Sequence, residues 1–300
     1  MSSRSVGGAA WSYSRTLKDP DIEEPINLAL HRPLAFRLLR PLERWTRRPS
    51  PNQVTLLSGA FGFASAYVAF VAAAGDVAWL RLAALLLFVS VILDCCDGML
   101  ARLTGASSEL GRILDGGMDF FVANAVGLGL GVAILKHTTS PWAIVALLAA
   151  FPSMLAHAAV YDHLKKRFVE LVAPRSDALD PHPTRSPLKP IPWALAAVYQ
   201  RLYTPLASVV TGAGAGPRPA GLEPSIARER LRLPMRMASW LGVGTHFSIL
   251  YVSMFFAPRD PLLPLWTCTT LITIVLNLWM LVTASAWRRA EAELVRRETS

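Results

Sequence analysis

Four aspartates lie inside otherwise apolar stretches of this chain. It reads D-C-C-D-G-M-L-A-R from Asp94 to Arg102, then eight residues, then G-R-I-L-D-G-G-M-D from Gly111 to Asp119. A charged side chain at the centre of a membrane-spanning helix costs roughly 2.5 to 3.5 kcal/mol on insertion scales. Asp94, Asp97, Asp115 and Asp119 together therefore need about 10 kcal/mol of compensation. Bound cations or some other functional necessity must supply it. An all-carboxylate set without His or Cys favours a hard, oxygen-preferring cation, Mg²⁺ or Mn²⁺, over Zn²⁺.

Helical geometry brings these residues together. Asp94, Asp97, Gly98, Ala101 and Arg102 fall at i, i+3, i+4, i+7 and i+8 on one face, and Gly111, Asp115 and Asp119 share a face of the next helix. Between them Thr104-Gly105 has the form of a helix stop, and Ser107 or Ser108 followed by Glu109 that of an N-cap and first-turn acid. A hairpin folded about residue 106 pairs Asp97 with Asp115 and Asp94 with Asp119, roughly 13 and 19 Å from the turn at about 1.5 Å per residue. The expected result is one site in a water-filled pocket. Gly98, Ala101 and Gly111 remove side chains from these faces, for close helix packing or for room for a ligand; beside four acids, room is the better reading.

The elements that carry the motif are those of a polytopic membrane protein. The 300 residues are 53% hydrophobic and 17% charged, with mean hydropathy +0.37. Apolar runs predict an all-α fold of six spans at about 54–74, 77–103, 110–135, 141–162, 236–257 and 262–286, with the acids in a hairpin of the second and third. The net charge of +9 signals topology rather than nucleic acid. Of 30 Lys and Arg, 27 precede the first span, fall in or at the edge of alternate loops, or follow the last. Both termini, these loops and the mouth of the pocket are therefore expected on the cytoplasmic side. Cys95, Cys96 and Cys268 suit neither a disulfide framework nor a C-x-x-C metal site, and read as buried thiols. The N-terminus lacks the early apolar run of a cleavable signal.

Three parts follow: a basic segment 1–53, a membrane domain 54–287, and a cytoplasmic tail 288–300. Ile26 to Trp45 has the pattern of a helix lying on an anionic membrane surface, interrupted by Pro33 and Pro41. The loop 163–235 holds eleven prolines, and its apolar stretch Ile191 to Val210 is too short to cross. His157, Asp162, His163, Thr245, His246, Asn124 and Asn277 are polar residues at or within spans. They read as satisfied interhelical hydrogen bonds at least as readily as acceptor-pocket groups.

The spacing D-x2-D-G-x2-A-R-x8-G-x3-D-x3-D resembles the signature of the CDP-alcohol phosphatidyltransferase family at all eight fixed positions, over 26 residues. Pro51-Asn52-Gln53-Val54-Thr55 is similar to that family's Pro-Asn-x-x-Thr entry to its first span. The resemblance implies transfer of a phosphate-linked group, phosphatidyl from CDP-diacylglycerol above all, to the hydroxyl of a small polar alcohol with release of CMP. The acceptor could itself be phosphorylated. Asp94, Asp97 and Asp115 would hold two divalent ions, and Asp119 would be ligand or general base. Gly98, Ala101 and Gly111 would make room for the nucleotide, and Arg102 would contact phosphate, orient an acid, or simply snorkel at a helix end. The resemblance also implies a homodimer and, if the source is bacterial, the cytoplasmic membrane. A CDP-polar-alcohol donor with a lipid acceptor is the alternative. A prenyltransferase leaves the G-x2-A-R element unexplained, and a transporter has no need of the x8 spacing.

Overall fold

The structure, a computed structural model, describes residues 11–45, 48–172, 205, 207–212 and 221–298. All regular structure among these is helical. The first elements are a 3₁₀ turn Tyr13–Thr16, a π-turn Asn27–His31, α1 (Arg32–Leu39) and a 3₁₀ turn Arg40–Arg44. Then come α2 (Pro51–Ala74), α3 (Trp79–Thr104), α4 (Glu109–Lys136) and α5 (Pro141–Val172). The C-terminal part holds α6 (Pro224–Ala238), α7 (Val243–Phe256), α8 (Leu263–Thr267), a π-helical stretch Cys268–Val275, and α9 (Leu276–Glu298).

Among the described residues five helices are long and apolar enough to cross a membrane: α2, α3, Leu114–Lys136 of α4, α5, and the continuous run Leu263–Arg296. Their outward faces carry exposed Phe63, Tyr67, Phe70, Leu85, Leu128, Leu148, Leu278 and Leu281. An apolar exterior of that extent suits lipid and not water, and the chain is an integral membrane protein. The predicted run 236–257 differs from expectation. α6 ends at Ala238, a 3₁₀ turn occupies Ser239–Leu241, Gly242 is extended (φ −71°, ψ 162°), and only then does α7 begin. At about 1.5 Å per residue its 14 residues span about 21 Å, short of a roughly 30 Å hydrocarbon core. α7 nevertheless packs inside the main core through Phe247, Leu250 and Met254.

The start signals act as the sequence implies. Ser50 caps α2 in a reciprocal capping box with Gln53, and Pro51 sits in the first turn, where its missing N–H costs nothing. Pro33 and Pro41 likewise open α1 and the following 3₁₀ turn rather than interrupting a helix. α3 stops at Gly105, whose φ of 67° is open to glycine, and Ala106 N donates back to Ala101 O (3.0 Å). Ser108 caps α4 by accepting from Gly111 N (3.0 Å).

α3 and α4 follow one another across the turn at Gly105. α2 packs along both α3 and α4, whereas α3 and α4, although consecutive, hardly approach each other. Small residues let α2 come close: a Cβ on Gly129 of α4 would lie 2.4 Å from Ala66 O. The unit is thus α2 holding α3 and α4 side by side, with space between the two acid-bearing helices.

The N-terminal segment is docked on protein. Ala35 and Leu39 are buried against Cys96, Met99 and Leu100 of α3, while Leu38 and Trp45 face outward. The three cysteines are free and buried, as expected. The tail 288–300 continues α9 as far as Glu298; Arg167 Nε donates to Glu291 (2.8 Å), and Trp287 and Leu294 are buried against α5 and α6. Residues 191–204 and 206, and most of 163–235, lie outside the described residues.

Candidate active site

α3 presents Asp94 and Asp97 from adjacent turns, and α4 presents Asp115 across the gap between the helices. One carboxylate oxygen from each lies within 4.8 Å of the others. Asp97 is buried; Asp94 and Asp115 are half-buried. Asp119, one turn further along α4, stands outside this cluster. It lines, with Asp94, an adjoining cavity of about 70 Å³.

Like charges at about 4.8 Å repel by roughly 3 kcal/mol per pair at an effective dielectric constant near 20. Among the described side chains no Lys or Arg lies within ion-pair distance of these acids. Hard oxygens gathered from two helices without a protein countercharge fit a divalent cation, whose ligands sit about 2.0 to 2.1 Å from Mg²⁺. Asp94, Asp97 and Asp115 are the residues that could hold it.

α2 is the third wall, and composition alone gave it no role. Thr55 donates its hydroxyl to Asp97 Oδ2 (2.5 Å), which fixes one carboxylate oxygen. A Cβ on Gly111 would meet Asn52 Oδ1 at 3.0 Å, so this glycine serves close approach of α4 to α2. Gly98 differs. A Cβ there would meet only the Arg102 guanidinium, at 3.6 Å, so no neighbouring helix demands a glycine and the space stays open. Ala101, half-buried, lies one turn beyond Gly98. Arg102 donates through Nε to Thr16 O (2.7 Å), and its buried Nη2 has no partner among the described residues.

That contact belongs to a larger feature. Residues 11–31 run from the acid-bearing helix α3 to α6 and α7. Asp19 and Asp21 pair with Arg228, Arg232 and Arg236 on α6. Glu23 pairs in the interior with Arg32 (2.9 Å). The Glu24 carboxylate enters the N-terminus of α7, accepting from Thr245 N (3.0 Å) and Thr245 Oγ1 (3.5 Å). Burial pushes Glu24 up to about 7, opposed by the N–H groups of Thr245 and Gly244. His31 is pushed down to about 4 by burial and is therefore neutral. It bonds Asn27 Oδ1 through Nδ1 (2.7 Å) and the Tyr251 hydroxyl through Nε2 (3.2 Å). Lys18 is held below the ordinary lysine range, first by the neighbouring charge of Lys165, and its own charge acts on Asp97. The charge of Lys18 bears on both Asp97 and Asp119, and that of Arg102 on Asp97. Glu24 and Asn27 stand on the Asp119 side, lining the same cavity.

The other polar residues of the spans are structural. His157 Nδ1 lies 3.0 Å from His246 Nε2, His157 Nε2 3.2 Å from Asn277 Oδ1, and Asn277 Nδ2 donates to Ser153 Oγ (2.8 Å). Asn124 bonds its own helix at Phe120 O, and Asp162 pairs with Lys166. Thr245 is the exception, since it holds Glu24.

Three acids on two apolar helices, with a Thr from a third bonded to one of them, form a cluster that could hold a metal ion. The sequence profile of the CDP-alcohol phosphatidyltransferase family matches residues 49–212, more than half of the chain, and the chain belongs to that family. Its members are transferases of phosphorus-containing groups, and this chain is such an enzyme, acting on a CDP-alcohol. No curated protein matches it significantly.

Proposed function

We propose that the protein transfers a phosphatidyl group from CDP-diacylglycerol to a hydroxyl of a small polar alcohol and releases CMP, in phospholipid synthesis. The observation that carries this reading is the convergence of Asp94, Asp97 and Asp115 within the family-matched segment. Asp94, Asp97 and Asp115, with Asp119 at the edge, would hold two Mg²⁺ or Mn²⁺ ions. Ions bound there neutralise charge on the donor diphosphate and on the departing CMP. Gly98 leaves room for the nucleotide beside Ala101, Gly111 brings α4 close to α2 at that site, and Arg102 turns its Nη2, which has no partner among the described residues, to a phosphate oxygen.

Asp119 is the general base. The acceptor oxygen forms a bond to the phosphorus that carries the diacylglycerol, the bond from that phosphorus to CMP breaks, and the acceptor proton passes to the Asp119 carboxylate. Lys18 and Arg102 favour an anionic donor. The test is a screen of purified protein against candidate acceptors, reading CMP release and the lipid product. A product whose headgroup came from the CDP donor would establish the opposite assignment, with lipid as acceptor. No CMP release from any CDP-alcohol would end the reading.

α7, together with the turn before it, completes a sixth crossing, so that both termini and the 163–235 loop share the cytoplasmic side, which for a bacterial source is the cytoplasmic face of the inner membrane. The 27-to-3 distribution of basic residues supports this. Part of α1 lies at the membrane surface with Leu38 and Trp45 towards lipid. A homodimer follows from the family resemblance. Cysteine-accessibility labelling is expected to place probes at Ser186 and in the C-terminal tail on the same side; opposite sides would rule out six crossings.

A further inference from the structure

The cavity beside the metal cluster is only partly built from the family-matched region. Ser58, Ser90, Asp94 and Asp119 come from residues 49–212, but Glu24 and Asn27 precede that region, and Gly244 follows it. The lining has a definite chemical character. Ser58 Oγ donates to Ser90 O (3.0 Å) and Ser90 Oγ to Ser58 O (2.9 Å), so both hydroxyl protons are spent inside the wall. Asn27 has its carbonyl oxygen engaged by His31. Besides the Asn27 amide and the Cys95 thiol, the remaining polar side chains are the carboxylates of Glu24, Asp94 and Asp119, and among the described residues no Lys, Arg or His lines the cavity. Such a wall repels phosphate and accepts hydrogen bonds from hydroxyls. About 70 Å³ gives room for a few water molecules or the hydroxyl-bearing end of a small alcohol.

Glu24 is seated there with care. A Cβ on Gly242 would lie 2.1 Å from its carboxyl carbon, and one on Gly244 would lie 2.9 Å from Glu24 Oε2 and 2.7 Å from Asn27 Oδ1. A helix N-terminus needs no buried carboxylate brought from 221 residues away, because a local Ser, Thr or Asn caps it as well. We propose that Glu24, held by Thr245 and flanked by Asn27, is the specificity wall of the acceptor site, accepting hydrogen bonds from the hydroxyls of a polyol. The inference rests on the transfer reaction proposed above.

The test measures CMP release by the full-length protein with Mg²⁺ and CDP-diacylglycerol. Glycerol, glycerol 3-phosphate, inositol and inositol 1-phosphate are the acceptors, and the one with the lowest KM is kept for the variants. Glu24→Gln keeps an acceptor for Thr245 N but loses the charge. Its acceptor KM should rise by about tenfold or more, as loss of a hydrogen bond to a charged group does, with donor KM within about twofold of wild type. Gly244→Ala displaces Glu24 and Asn27 from behind, without altering the segment that carries them, and should move acceptor KM in the same direction. A purely structural role moves thermal stability and leaves the split between acceptor and donor KM alone. Unchanged acceptor KM in folded Glu24→Gln, or a donor KM that rises in step, overturns the proposal. Should Glu24→Gln fail to fold, unchanged acceptor KM in Gly244→Ala overturns it. Absence of CMP release by the wild type defeats the transfer reaction and this inference with it, whereas normal release with an unmoved acceptor KM defeats this inference alone.

Discussion

Two groups of polar side chains are buried between the helices, and they differ in what faces them. His157, His246, Asn277 and Ser153 meet one another within 2.8 to 3.2 Å, tying α5, α7 and α9 together. Asp94, Asp97 and Asp115 meet mainly each other; the Thr55 hydroxyl donates to Asp97, and no cationic side chain among those described is in ion-pair reach. In a membrane a polar group is retained when something answers its hydrogen-bonding demand. The first group finds the answer inside the protein, which makes it architecture. The second does not among the described residues, which supports the proposal that it binds a cation.

Metal removal tests that contrast most severely. Excess EDTA should abolish CMP release, restored by Mg²⁺ or Mn²⁺, because no described Lys or Arg forms an ion pair with the three carboxylates. Asp97→Asn should lower turnover and raise the metal concentration required, the pattern of a lost ligand. Full turnover in EDTA would mean that the acids satisfy one another after all.

Next in size is Asp119, which lies outside the three-acid cluster and faces the cavity. As general base it predicts a fall of roughly 10²- to 10⁴-fold in kcat for Asp119→Asn, with donor binding retained and little recovery at high metal. Asp119→Glu keeps a carboxylate but misplaces it by about 1 Å, an error that can cost on the order of 10²-fold. Substantial rescue of Asp119→Asn by added metal would make it a ligand instead.

A smaller effect is expected at Thr55, where the two groups are most alike, since a neutral hydroxyl answers a carboxylate. Thr55→Val preserves shape and removes the donor to Asp97. A hydrogen bond to a charged group contributes about 1.5 to 3 kcal/mol, so kcat/KM should fall by roughly 10- to 100-fold. Wild-type kinetics would show that the bond to Asp97 orients nothing.

What the sequence revealed of this arrangement follows from the range of the interactions. The aspartates, the Gly105 stop and the Ser108 cap are set by spacings of three, four and eight residues, and helix geometry alone groups them. Thr55 to Asp97 and Glu24 to Thr245 bridge 42 and 221 residues, which no local period encodes. The hydropathy of 236–257 runs on without a break, so it hides the interruption at Gly242. The break is nevertheless written in the pair Gly242 and Gly244: both lack a Cβ where the Glu24 side chain enters. The part played by α2, which packs along both acid-bearing helices, was hidden for a related reason: its small residues approach partners tens of residues away in sequence.

The least effect on chemistry belongs to the histidines. His157→Ala would leave His246 Nε2 and Asn277 Oδ1 facing a void in the helix interior, and an orphaned buried polar group costs about 1 to 3 kcal/mol. Hydrogen bonds between membrane helices average nearer 0.6 kcal/mol, because the separated helices find other partners, so the lower end is expected. The measurement is thermal unfolding in detergent alongside CMP release. His157→Ala should melt several degrees lower, while its kcat and both KM values at a permissive temperature stay within about threefold of wild type. A larger loss of kcat without a loss of stability would place His157 among the reacting groups, and the line between a self-answering network and an ion-seeking one would then have been drawn in the wrong place.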